Sequence, residues 1–599
     1  MKNLKDQKGM AIVLFLAILL MLTLVGVVAI MNSSNNLDVS GNKMNSNETL
    51  YAADLGLELA IAGIRAFHDV NADSMTDAQL PCSTFTKGGL TISYQTKKDN
   101  ATTQHFRDIG TFYYQPYQRV RARKIFYVVV SQAASTDGRY RSRVSARVVA
   151  NMLRLFSFDA FYDGNLEFSS ESAYAADTHF QAIHSNSNIY LEQPASATNF
   201  LRFRQGVSAG RKIYHGHDTT YASSPTKSGK VLILSARTAN SYDTLNIDAT
   251  NTGWVDTSMA RWKGMVQDSL HNINQTKLRV VRPYNTNPID WIARAVDKPT
   301  MSLERTGVCG LKIYTRLVSG VYRDSAYWWN AGTSSWVNRT DSIFNRSPRV
   351  VTRRHSYDFR ENDTLILYCI NLDSLRVANL WPSTGILYMY RDTTASTRRQ
   401  PAIMIWGGNT LANDLTIVSK NPVYIQGNFN IGDSVHKAAI IADAVTEINS
   451  PYTNANGCTS WVAATTHPQS AIAANRIIRA AIVTGNVPTN AARFSGGVNN
   501  LVRLLEDWTM AGRLTMIGPQ ICLWNSQQDT ARYQSPGMTA NIYFPPANTG
   551  AFRYIHSDTT IGDTCGFGLP ARRRFPPFPD DGPYAVYIEV LNRTVEEVQ

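Results

Sequence analysis

The stretch MAIVLFLAILLMLTLVGVVAIM, residues 10–31, carries no charge, and only Thr23 and Gly26 depart from a composition of Ala, Ile, Leu, Val, Met and Phe. A bilayer is crossed by roughly 20 helical residues, so this run is long enough to span one. Each Leu, Ile, Val or Phe favours insertion by about 0.3–0.6 kcal/mol, and nothing in the run opposes their sum. The buried helix of a soluble domain would carry a polar stripe, which this one lacks. Lys2, Lys5 and Lys8 precede the run and an Asn/Ser-rich stretch follows it. That bias of positive charge holds the first residues inside and puts everything after Met31 outside. A cleavable secretory signal would have a shorter apolar region and an A-x-A-like site, which Ala29-Ile30-Met31 does not supply. The run therefore reads as a retained anchor.

Beyond it, Leu50, Ala53, Leu57, Ile61, Ile64 and Phe67 recur at steps of three or four, with Asp54 and Glu58 off that face. A helix is expected to resume there, its apolar stripe packing on the protein's own body or on neighbouring helices.

These residues carry a family resemblance. The basic leader ending Lys8-Gly9, the apolar run opening at Met10, and Tyr51-Ala52-Ala53-Asp54-Leu55-Gly56-Leu57-Glu58 resemble the class III prepilin signal and N-terminal region of PilX-type minor pilins. The resemblance implies a leader, residues 1–9, removed by a prepilin peptidase between Gly9 and Met10, with methylation of the new N-terminus. It implies a membrane and assembly helix, with Leu14, Leu16, Leu20, Leu24 and Val28 on it, through which the chain meets other pilin or minor pilin subunits. Major subunits of the family carry Glu at the fifth mature position, where this chain has Leu14. That departure fits a tip or initiating subunit, or one that stays in the membrane. The implied localisation is the inner (cytoplasmic) membrane, single-pass with the N-terminus inside, and then the pilus or cell surface.

The remainder reads as β. Ile125 to Ser131 and Arg141 to Val149 are β-branched runs flanking Ser135-Thr136-Asp137-Gly138, the pattern of a hairpin. From Phe156 onward short apolar stretches alternate with Gly, Asn, Ser and Asp clusters, and no long helical period appears. Leu415 to Val418, Val423 to Gln426 and Lys437 to Val445 are apolar runs divided by Asn-Pro and Gly-Asn turns, as strands buried on both faces require. The expected fold is α+β, mostly β: a transmembrane pilin-like helix followed by a β-rich ectodomain. A parallel β-helix or solenoid is favoured over a sandwich, although no strict repeat length emerges. The expected divisions are a leader (1–9), the helix (10–67), a small antiparallel sheet (68–154), a solenoid-like ectodomain (155–470) and a C-terminal region with a helix and terminal strands (471–599). Segments around residues 415–445, 494–508 and 517–519 also resemble the C-terminal region of large PilX-type proteins.

With 599 residues, 44% of them hydrophobic and 18% charged, the chain is long enough for several packed units and too apolar for disorder. Its formal charge of +13 favours anionic partners such as lipid headgroups or acidic polysaccharide. The only tight basic run is Arg572, Arg573 and Arg574, which does not make a specific nucleic-acid reader. Cys82, Cys309, Cys369, Cys458, Cys522 and Cys565 lack zinc-finger spacing. An exported ectodomain would permit at least one disulfide among them, with buried thiols as the alternative.

Four local patterns bear on chemistry. Gly206-Val207-Ser208-Ala209-Gly210 matches the G-x-S-x-G of serine hydrolases, but a strand-like segment follows it and His215, His217 and Asp218 come in the wrong order, so a turn between strands is expected. His215-Gly216-His217 lacks a third metal ligand nearby. Asp69, Asn71, Asp73 and Asp77 occupy four positions of a calcium loop, yet Ser74 and Leu80 replace its Gly and Glu, leaving calcium or a plain acidic loop. Trp328, Trp329 and Trp336 flank a turn, either as cross-strand packing or as a surface for sugar or protein. No cofactor and no catalysis are expected. The sequence thus points to a non-catalytic minor or tip subunit of a type IV pilus or pseudopilus, displaying its ectodomain for priming or adhesion. The alternative is a static, membrane-anchored surface binder of an extracellular surface or polysaccharide.

Overall fold

The computed structural model describes residues 4–69, 74–99, 104–108, 121–168, 177–179, 182–191, 200–203, 206–215, 230–236, 241–244, 266–267, 278–280, 292, 308–358, 360–361, 363–392, 399–448, 475–491, 495–505, 513–531, 533, 552–556 and 584–598. A single helix, α1 (Leu4–His68), runs through the apolar stretch and on to the β body. Its 65 residues, at about 1.5 Å each, span roughly 100 Å. The expected interruption before Leu50 is absent. The Asn/Ser-rich stretch contains no proline, and a helix already nucleated on both sides propagates through indifferent residues at little cost.

Five strands follow: β1 (Cys82–Lys87), β2 (Leu90–Lys98), β3 (Gln104–Asp108), β4 (Arg121–Ser135) and β5 (Arg141–Arg154). The β4–β5 hairpin forms where the alternating β-branched runs predict it. Asp137 caps its turn by accepting from the Ser135 hydroxyl and the Arg139 N–H, and Gly138 takes the left-handed conformation there (φ +71°). The other edge of β5 pairs antiparallel with the C-terminal strand Tyr584–Val598, Tyr584 opposite Arg154 and Val598 opposite Arg141. One sheet is thus built from opposite ends of the described chain.

The larger part consists of short strands stacked in parallel. Leu166, Ile189 and Ile213 occupy equivalent places on neighbouring strands, as do Ile183 and Val207. A second parallel series runs from Leu311–Val318 through Ile386–Arg391, Leu415–Val418, Ala438–Ala442 and Ala481–Asn486 to Gln520–Asn525. Its last strand pairs with Phe158–Tyr162 of the first, giving one 12-stranded sheet. A six-stranded sheet accompanies it, and the Tyr368, Ile403, Ile425 and Val502 side chains there join Ile183, Ile417, Ile440 and Ile482 of the 12-stranded sheet in one hydrophobic core. Leu415–Val418 and Ala438–Ala442 are buried along their whole length, which is why their sequence is continuously apolar and does not alternate. Neighbouring turns approach closely: a Cβ on Gly210 would lie 2.5 Å from the Asn186 carbonyl oxygen. The architecture is α+β and mostly β, one long apolar helix on an extensive mixed-sheet region.

Candidate functional site

Helix α1 divides into two working halves. In the first, Leu14, Leu16, Leu20 and Leu24 are each more than half exposed and Val28 is 49% exposed. The most apolar window of this segment reaches a mean hydropathy of 3.1 with none of it buried, so the helix is long and apolar enough to cross a membrane. The Thr23 hydroxyl donates to the Leu19 and Leu20 carbonyls of its own helix, which satisfies it without a partner or water. Gly9 and Met10 both lie within the helix.

In the second half the apolar stripe meets the first sheet. Ala53, Leu57, Ala60, Ile61 and Ile64 are buried against Ile125, Tyr127, Val129, Val144, Val148 and Met152. At about 1.5–3 kcal/mol for each fully buried Leu or Ile, this contact holds the helix firmly on the body. Gly56 permits the close approach, since a Cβ there would overlap Ser131 Oγ and lie 2.9 Å from Ile92 Cγ2. Polar contacts fix the rotation of the helix. Thr49 and Ser142 hydroxyls lie 2.9 Å apart, Tyr140 donates to Asn42, and His68 Nε2 meets the Tyr127 hydroxyl at 2.8 Å. From the C-terminal strand, Arg593 pairs with Asp54 and reaches within 3.8 Å of Glu58. The two acidic residues lying off the apolar stripe thus receive a partner from the far end of the chain.

Ser208 lies inside the short strand Val207–Ala209, and Ile213–His215 follows as another strand, so the backbone is that of stacked strands and not of a nucleophile elbow. Its hydroxyl nevertheless has a histidine partner. His184 Nδ1 lies 2.7 Å from Ser208 Oγ, and His184 Nε2 lies 3.0 Å from Asn186 Oδ1. Asn186 accepts from the Leu278 N–H and donates to the Leu278 carbonyl, which fixes its amide orientation. Nε2 therefore carries the proton and Nδ1 accepts from Ser208. The imidazole is fully buried, stacked 5.4 Å from the Phe161 ring, and Ser208 is 4% exposed. Burial lowers the His184 pKa to about 4, with the Asn186 bond working the other way, so the ring is neutral at pH 7. This chain of bonds pins adjacent strands and the Leu278 segment together, with the His184 and Ser208 side chains both buried. Sequence spacing offered His215 and His217 as partners of Ser208. The actual partner is the equivalent residue of the preceding strand, a relation visible only once the register is known.

Asp443 and Arg503 anchor a second buried polar cluster. Asp443 accepts from the Gln527 and Gln528 N–H groups at 2.7 and 2.8 Å, and burial raises its pKa. Arg503 is 4% exposed and bridges Glu361 and Asp529. Burial works against its charge, but these acids outweigh it and raise its pKa, while burial holds the Asp529 pKa well above the usual carboxylate value. Tyr424 donates to Asp358 at 2.6 Å in the same cluster.

Of the calcium loop, Asp69 follows the end of α1 and Asp77 is exposed, 3.7 Å from Lys98 Nζ; Asn71 and Asp73 lie outside the described residues. Among the described residues no group of three His, Cys, Asp or Glu could hold a metal ion. His217, Asp218, Trp508, Cys458, Cys565 and the Arg572–Arg574 run also lie outside them. The expected disulfide does not involve Cys82 or Cys522, which are free thiols, and Cys309 and Cys369 are buried. Burial pushes the Cys522 thiol up to about 12. The tryptophan hairpin is packing: Trp329 and Trp336 face each other edge to face at 5.2 Å, and the Trp328 indole donates to the Trp381 carbonyl.

Fold and helix together define a membrane-anchored protein, a single apolar helix bearing a large β-rich domain. No protein-family model matches the chain, and no curated protein matches it. Among solved structures, the competence-associated pilin ComZ from Thermus thermophilus aligns over 92% of this chain and 98% of that chain, at 10% identity and a TM-score of 0.21. A superposition that loose carries no argument about fold or function.

Proposed function

We propose that this chain is a non-catalytic, pilin-like minor or tip subunit of a type IV pilus or pseudopilus, displaying its β-rich ectodomain for priming or adhesion. The observation that carries the reading is the division of α1: an apolar half exposed from Met10 to Met31, continuous with a half locked onto a sheet. A subunit that must pass from a bilayer into a bundle of like helices needs this combination, because the same side chains serve lipid first and neighbouring helices afterwards. Leu14, Leu16, Leu20, Leu24 and Val28 would make those contacts. The basic residues ahead of the span favour a cytoplasmic N-terminus and an outward-facing ectodomain. Prepilin peptidase would cut between Gly9 and Met10, and Leu14, lacking a carboxylate for a neighbour's amine, suits the end of a filament better than its shaft.

In this reading residues 1–9 are the leader, 10–67 the assembly helix, 68–154 the supporting sheet, 155–470 a parallel β-helix and 471–599 its closing region. The stacked parallel strands around one apolar core support the β-helix assignment. Calcium at Asp69, Asn71, Asp73 and Asp77 would stiffen the exit from α1. Mass spectrometry of the native N-terminus tests the central claim. Methylated Met10 is the expected result, and an intact Met1 in cells with active peptidase would sink it.

A further inference from the structure

The sheet under α1 has two edges, and among the described residues both are open. β1 pairs with β2 on one side and with no strand on the other. The C-terminal strand pairs with β5 along its length, while on its outer side Arg279–Val280 reaches only Val586 and Ala585. An unpaired edge is a row of backbone donors and acceptors that templates a further strand. Below the bulge at Leu591, the edge from Asn592 to Val598 is regular and contains no proline. Leu591 and Val595 are 42% and 54% exposed beside it. Its charges are drawn away from the edge, Arg593 to Asp54 and Glu596 to Arg143 at 3.4 Å.

The two edges match in direction and in height. Four successive antiparallel pairings, from β1 through β2, β4 and β5 to the C-terminal strand, leave the first and last strands running the same way. Followed across the sheet, the register puts Cys82 level with Gln95, Val130, Ser145 and Thr594. It puts Thr86 level with Thr91, Ala134, Arg141 and Val598. The strands run along α1, since Ser142 meets Thr49, and Tyr127, opposite Val148, meets His68. Copies whose α1 helices share one bilayer stand upright in the same sense, related by rotation about the membrane normal. That relation brings β1 of one copy beside the C-terminal strand of the next, in parallel and at the same height. Two C-terminal strands pairing antiparallel would instead need a two-fold axis through the sheet, which inverts one anchor.

We propose that β1 of a second copy of this chain adds to the outer edge of the C-terminal strand, in parallel and with Cys82 beside Thr594, so that co-anchored copies share one continuous sheet. The contact joins two different edges, so it repeats from copy to copy. Five residue pairs make a weak contact alone, and confinement of both copies to one membrane raises their effective concentration. Pairing of this kind goes beyond the filament reading, because it needs co-oriented anchors and neither leader cleavage nor methylation.

Disulfide cross-linking tests it on the full chain, in membranes of cells that lack prepilin peptidase, so that failure here leaves the processing of Met10 a separate question. Thr594→Cys is placed in a chain carrying Cys458→Ser and Cys565→Ser, and a mild oxidant is added. Cys82 is an exposed free thiol. Adjacent strands lie about 4.8 Å apart, within reach of a disulfide, whereas inside one copy Cys82 and Thr594 are four strand spacings, roughly 19 Å, apart. The expected product is a ladder of covalent dimers, trimers and larger species. Glu589→Cys lies on the same strand opposite Val149, four β5 residues above Ser145 and beyond the height of β1. It should cross-link roughly tenfold less, because a disulfide tolerates little separation. Monomer alone, equal yields from the two positions, or a ladder that persists when Cys82→Ser is added would each overturn it.

Discussion

Arg593 of the C-terminal strand forms an ion pair with Asp54 of the N-terminal helix, closing the sheet and helix on each other from opposite ends of the described chain. Both side chains are partly open to solvent, 42% and 38% exposed, so the contact is worth at most about 1 kcal/mol and weakens with salt. A double-mutant cycle with Arg593→Ala and Asp54→Ala, read by chemical denaturation of the full chain, should give a coupling below about 1 kcal/mol that shrinks at high salt. A coupling of several kcal/mol would mean the pair is more deeply desolvated than its exposure implies.

Gly56→Ala is a substitution whose sign is diagnostic. In an unpacked helix it would stabilise by roughly 0.5–1 kcal/mol. Here the new methyl would meet Ser131 and Ile92, so the variant should lose about 1–3 kcal/mol, restored in part by Ser131→Gly. By contrast Leu20→Ala, at a position 67% exposed, should leave the unfolding of the β body unchanged.

Acid should weaken the body through His184. Its folded pKa, about 4, lies below the usual 6.5, so the unfolded chain takes up a proton that the folded one refuses. Stability is then intact above about pH 6.5 and is lost progressively as the pH falls toward 4, by on the order of 3 kcal/mol in all. Measured by denaturation, the advantage of wild type over His184→Gln should shrink by that amount across the same interval, and a constant difference would contradict the assignment.

Arg503→Met should be among the most damaging single changes. It removes the cation between Glu361 and Asp529 and leaves buried carboxylates without compensation, at a cost of about 3–5 kcal/mol. Adding Asp529→Asn and Glu361→Gln should recover part of the loss, which thermal unfolding would report.

Cys522 should resist alkylation in the folded protein. Burial pushes its thiol up to about 12, so little thiolate exists near neutral pH, whereas Cys82 is exposed. In a chain carrying Cys458→Ser and Cys565→Ser, maleimide should label Cys82 and spare Cys522 until denaturant is added.

Several of these features were legible before any fold was known. The span at residues 10–31, the packing stripe through Leu57, Ile61 and Ile64, the hairpin turn at Asp137-Gly138 and the doubly buried strands near Leu415 and Ala438 all depend on local periodicity and composition. Such signals survive in one dimension because a helix or strand repeats its environment along the chain. The sequence predicts a break in α1 at its Asn/Ser-rich stretch, but the helix runs through it, because weak propensity there is overruled by helix on both sides. Around Ser208 the sequence places His215 and His217 just ahead, while parallel stacking brings in His184 from behind.

The sequence alone determined that a charge-free helix long enough for a bilayer precedes a β-rich body, because hydrophobic length and alternation are properties of contiguous residues. Only the tertiary structure decided that Tyr584–Val598 completes the sheet under α1, that Gln520–Asn525 adjoins Phe158–Tyr162, and that Cys82 and Thr594 stand level on one sheet. Those relations join residues hundreds of positions apart. They arise from strand edges and apolar faces that must find partners in space, and no local pattern records which partner each one finds.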